Sequence, residues 1–147
     1  MIRSSSLVFA ALMMSGLAAA HESDASRASA APYSVTPVIQ QAMSDPGLAG
    51  YQMLAVRLDI VPGGVDPAPH RHDADLFVYV IHGSIEVEVE GGKATYGEGQ
   101  MFHEPRNAVH SLLRNVSSTE PASALAVFVI KEGREFLVPL PGKDEKK

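Results

Sequence analysis

From Tyr51 onward the chain is a succession of short apolar stretches rich in β-branched residues, each cut off by Gly, Pro or Asn. That rhythm excludes a helical bundle, which needs apolar residues recurring at a helical period over longer segments. Tyr51 to Val61 reads as one strand, ended by Pro62-Gly63-Gly64. Leu76 to Ile81 reads as a second, turning at His82-Gly83. Ser84 to Glu90 alternates apolar and acidic side chains, as a half-exposed strand does. Gly91-Gly92 supplies a hairpin turn, Lys93 to Tyr96 returns, and Gln100–Glu104, His110–Asn115 and Leu125–Ile130 complete the set. The one segment that reads as helical is Val38 to Met43. Many short strands separated by turn residues predict an all-β sandwich or barrel. The acidic row Glu86, Glu88 and Glu90 is expected on the solvent face of an edge strand, where charge discourages pairing with another sheet. Phe77, Tyr79, Phe102, Met53 and Met101 are expected to line or back the core.

The start of the chain has a different character. Met1 to Arg3 brings one positive charge, Leu7 to Leu17 is apolar, and Ala18-Ala19-Ala20 closes with small residues. This is the plan of a secretory signal peptide over residues 1–20. The apolar run falls well short of the roughly 20 residues of a membrane span. Export to the periplasm, or secretion, is the expectation, with no membrane span after processing. No Cys follows the run, so a cysteine-linked lipid anchor is excluded. Cleavage after Ala20 makes His21 the N-terminus, where amino group and imidazole together can chelate copper. The Ser/Ala-rich stretch that follows reads instead as a disordered leader, residues 21–34. The folded domain is expected over 35–140 and a solvated tail over 141–147. With 147 residues in all, one core is what the chain can bury. Its lack of Cys excludes disulfides, thiolate nucleophiles and Cys-ligated zinc or iron–sulfur centres. A net charge of −5 argues against nucleic acid as a partner.

The histidines carry the chemistry. His70 and His72 lie two apart where a strand begins, so both imidazoles point to one face. His110 opens another strand. If those strands are neighbours, three neutral imidazoles converge on one transition-metal ion. His82 and His103 are expected to be structural or surface residues.

The spacing also carries a resemblance. Gly64-(five residues)-His70-x-His72 with Gly83, and Gly99-(five residues)-Pro105-x-Asn107-(two residues)-His110, resemble the two signature motifs of the cupin superfamily. The likeness runs from about Tyr51 to Ile130 and extends to small exported bacterial cupins. It implies a jelly-roll β-barrel (a double-stranded β-helix), commonly a homodimer. One divalent transition metal (Fe, Mn, Zn, Ni or Cu) is implied inside it, held by His70, His72 and His110. Gly83, Gly99 and Asn107 fall at turn positions.

Two departures from the family pattern bear on the site. The glutamate usually found four residues after the second histidine is Leu76 here, and the terminal Asn is displaced by one, to Asn115. Asp75 points to the opposite face unless a bulge re-aims it. Glu104 is the remaining carboxylate: facing inward it is a metal ligand or general base, and at the rim it bonds Arg106 or solvent. Two functions follow. One is a metalloenzyme (dioxygenase, lyase or isomerase) acting on a small oxygenated molecule. The other is a non-catalytic periplasmic barrel that binds or senses a small ligand or metal ion.

Overall fold

The computed structural model describes residues 31–141. The expected signal segment, His21 and all of the tail beyond Pro141 lie outside the described residues. The strands are β1 (Tyr33–Ala42), β2 (Tyr51–Ile60), β3 (Val65–Asp66), β4 (His70–Arg71), β5 (Asp75–His82), β6 (Ser84–Val89), β7 (Gly92–Gly97), β8 (Met101–Glu104), β9 (Val109–Asn115), β10 (Ala122–Lys131) and β11 (Val138–Pro139). They form two antiparallel sheets of a jelly roll, β1-β2-β10-β5-β8 and β11-β4-β9-β6-β7, with β3 also on β9. No helix among the described residues is long and apolar enough to cross a membrane.

Period-two alternation builds the core. Along β5, Leu76, Val78 and Val80 are buried, facing Ile85, Val87 and Leu113 of the other sheet. Along β10 the inward positions are Ala122, Ala124, Ala126, Phe128 and Ile130. The small alanines at the centre of that row leave room between the sheets, and the room becomes the site.

The same alternation corrects one expectation. Phe77 and Tyr79, out of phase with Leu76, stand on the outer face with Ile81, each more than a third exposed. Met101, the register partner of Tyr79, joins them there. Of the five residues expected to line or back the core, only Phe102 is fully buried, with Tyr96 stacked on it at 4.3 Å.

Two further expectations are overturned. Val38 to Met43 is not helical but belongs largely to β1, which begins already at Tyr33 and pairs with β2 along its length. Val35, Thr36, Val38 and Ile39 are β-branched and favour a strand, and an edge strand tolerates Pro37 at a bulge. The register shifts between Pro37 and Ile39. The acidic row is not on an edge either, because β6 lies between β9 and β7. Its carboxylates instead take cross-strand partners: Glu86 with Arg114 at 2.9 Å, Glu88 with Ser111 at 2.9 Å, and Glu90 with the Val109 amide at 2.6 Å.

Two asparagines fix the loops around the site. Asn107 has φ of +65°, the left-handed conformation its turn requires, and its amide donates to the His72 carbonyl at 2.8 Å. The second-motif turn thus grips the first motif directly. Asn115 is buried, and its Nδ2 donates to the carbonyls of Val61 (3.1 Å) and Glu120 (2.8 Å). Its Oδ1 accepts from the Ser117 amide at 3.0 Å. A side chain that satisfies three backbone groups from two loops explains why a polar residue sits in this core.

Candidate metal centre

Strand pairing brings the histidines together. His70 on β4 is the register partner of His110 on β9, and His72 follows two residues later on the same face. One ring nitrogen from each of His70, His72 and His110 lies within 4.8 Å of the other two.

The remaining ring nitrogens are all held by main-chain carbonyls, which can only accept. His70 Nδ1–H donates to Ala68 O at 2.9 Å, His72 Nδ1–H to Phe136 O, and His110 Nε2–H to Leu112 O. Each bond fixes one tautomer and leaves His70 Nε2, His72 Nε2 and His110 Nδ1 as lone-pair donors. Metal-ligating histidines use this arrangement to orient the ring and raise its basicity.

Glu104 faces inward. It is 1% exposed and is the register partner of Leu76 on the neighbouring strand. Directly paired residues hold their Cβ atoms about 5 Å apart. The carboxylate absent from position 76 is therefore delivered from β8, one strand away, into the same space. Glu104 Oε2 lies 3.4 Å from His110 Nδ1 and 3.8 Å from His72 Nε2. The rim alternative fails because Arg106 bonds Asp73. Asp75 stays outside, accepting from His103 Nε2 at 3.0 Å, and His82 pairs with Glu98 on the surface at 3.2 Å.

The electrostatics of the two buried histidines diverge. Burial lowers the His72 pKa, and the Phe136 carbonyl and Glu104 only partly oppose it. Burial works the same way on His110, but its contact with Glu104 and the Leu112 carbonyl outweigh it, so its pKa is raised. Both Glu104 oxygens and His110 Nδ1 are buried without a hydrogen-bond partner. Unpaired buried polar atoms are rare in native folds. A cation between the three imidazoles and the carboxylate would satisfy all of them, so the residues present fit a divalent transition metal.

The surrounding cavity lies between the two sheets. Beyond the three histidines and Glu104, only Tyr33 and Asp66 among its described lining side chains are polar. The Tyr33 pKa is raised by burial and by the neighbouring Asp66 charge. Phe136 and Leu137, just ahead of β11, also line the cavity.

A family model described as a cupin domain matches residues 56–128, which contain all three histidines and Glu104. The chain belongs to the cupin superfamily. A germin-like protein of Arabidopsis thaliana (subfamily 2 member 2) is 38% identical over 89 residues, 56% of this chain. The cupin chain spans 39% of that relative's length. Among solved structures, an oxalate oxidase in complex with the substrate analogue glycolate matches with a TM-score of 0.54 at 26% identity. That match covers 74% of this chain and 57% of the other. KdgF from Halomonas sp. matches with a TM-score of 0.54 at 22% identity, covering 69% and 82%, a likeness of fold.

Tyr33, Asp66 and Phe136 escape a sequence reading. Tyr33 and Phe136 come from the two ends of the fold, and no spacing rule links either to the histidine motifs. Asp66, four residues before His70, follows Gly64 closely enough to be suspected, but its direction depends on the pairing of β3 with β9.

Proposed function

We propose that this cupin is an exported mononuclear-metal enzyme acting on a small oxygenated molecule, as an oxygenase, lyase or isomerase. His70, His72 and His110 hold the metal in this reading, and Glu104 moves a proton. The observation that carries it is the buried Glu104 carboxylate beside two of the three histidines, with no hydrogen-bond partner of its own. A bound divalent ion would supply Lewis-acid polarisation of a coordinated oxygen and a position for substrate or O2. The chain's own contribution is orientation and proton handling. Three main-chain carbonyls lock the rings, apolar walls exclude water, and Glu104 accepts a proton from the substrate or returns one. Residues 1–20 support the export part of the reading through their basic, apolar and small-residue segments. A homodimer through the outer face that carries Phe77, Tyr79 and Met101 completes it, since three large apolar side chains are exposed there.

Leucine at position 76 favours the second reading, a barrel that binds without turnover. The two separate by assay. Metal-loaded protein is expected to consume one member of a panel of small hydroxy and keto compounds, with O2 uptake marking an oxygenase. Glu104→Gln is expected to lower kcat by about 10²–10⁴-fold and to keep substrate binding. Turnover that survives Glu104→Gln contradicts the role given to Glu104, and binding without turnover by either protein supports the non-catalytic barrel.

A further inference from the structure

The cavity above the three histidines has an unusual wall for a site that would handle acids. Among the described residues no Lys, Arg, Asn, Gln, Ser or Thr side chain lines it. Its charged or polar described groups, besides the histidines, are Glu104 at the metal end and the neighbouring Tyr33 and Asp66. Both charged side chains among these are carboxylates. Val35 and Leu58, which lie on paired positions of β1 and β2, and Phe128 from β10 make apolar wall around them. The cavity volume is about 80 Å³, room for a small ligand only.

We propose, resting on the metal-centre reading above, that this cavity selects a small organic molecule that is uncharged beyond its metal-bound head and rejects ligands carrying a carboxylate away from the metal. A metal-bound head would be satisfied by the histidine centre. A carboxylate elsewhere on the ligand would enter the cavity with no Lys or Arg among the described lining residues to meet it, and the Tyr33 hydroxyl already lies under the influence of the Asp66 carboxylate. Burying an unpaired charge is strongly unfavourable, and Glu104 and Asp66 repel it further. A neutral ligand of the same shape meets neither penalty. The narrow volume sets the size class, and the walls set the charge class.

The test uses cobalt(II)-loaded full-length protein and two probes of one shape, isonicotinamide and isonicotinate, each titrated while the visible cobalt spectrum is followed. Both reach cobalt through the ring nitrogen and hold the substituent at the far end of the ring, where it cannot chelate, so a cavity without selectivity binds them about equally. The expected result is that the carboxamide binds at least about tenfold more tightly than the carboxylate, since like-charge contacts suppress the wrong ligand. Equal or tighter binding of the carboxylate overturns the proposal and leaves the metal centre standing. A wild-type protein that shows no bound-cobalt spectrum, or a spectrum unchanged in His72→Ala, overturns the metal-centre reading and this proposal with it.

Discussion

Removing metal is expected to lower the melting temperature by about 15 °C. Without a cation, both Glu104 oxygens and His110 Nδ1 are buried with no hydrogen-bond partner among the described residues, and a buried group left so costs about 1–3 kcal/mol. A ligand that binds only the folded chain adds about 4 kcal/mol at a thousandfold excess over its Kd. A domain of this size shifts by roughly 4 °C for each kcal/mol. Scanning calorimetry of zinc-saturated and EDTA-treated protein checks the figure. A shift of less than about 3 °C would mean that the orphaned atoms are satisfied in some other way.

Glu104→Leu is expected to have opposite effects in the two metal states. In metal-free protein the side chain is a fully buried carboxylate with no hydrogen-bond partner, and its register partner is already Leu76. A buried carboxylate with no hydrogen-bond partner carries a desolvation penalty, and a hydrophobic residue of similar size removes it, here for a gain of about 1–3 kcal/mol. In metal-bound protein the same change removes a negative charge next to a cation, and affinity should fall about 10–100-fold. Urea denaturation in EDTA reads the first effect, and a competitive metal titration reads the second. A variant that loses stability in EDTA would show that Glu104 serves the fold, and the role proposed for it would be lost. Natural sequences break a packing rule of this kind mainly at functional sites, where the unfavourable residue is retained for its chemistry.

The strand rhythm of the sequence located most of the barrel, because period-two burial is a local property. Leu76, Val78 and Val80 alternate with Phe77, Tyr79 and Ile81 in the chain as they do in the sheet. The phase is in the sequence too, and followed strictly it puts Phe77 and Tyr79 outside, against the expectation that they back the core. The first strand was not legible. Its residues from Ser34 to Ala42 are exposed, so it carries little burial pattern and exists through its hydrogen bonds to β2. The position of β6 inside its sheet was hidden for a different reason, since sheet order is set by long-range pairing. Acidic residues facing solvent look the same on an edge strand and on an inner one.

The site divides along the same line. His70 and His72 announce a common face through their spacing, whereas the approach of His110 depends on the pairing of β4 with β9. Glu104 was legible as a candidate but not as an answer. What decided its place is a register, Leu76 against Glu104, that no local pattern contains. The carbonyls of Ala68, Phe136 and Leu112 that hold the rings were invisible because main-chain groups leave no mark in a sequence.

The central claim, that three histidines hold one metal ion, is tested most directly by metal stoichiometry. Wild-type protein and His72→Ala are equilibrated with zinc, freed of loosely bound ion and analysed by elemental mass spectrometry, with circular dichroism confirming that both are folded. About one metal per chain is expected in the wild type and less than about 0.1 in the variant, since a site deprived of one ligand loses most of its affinity. Metal content in His72→Ala equal to that of the wild type would contradict the claim.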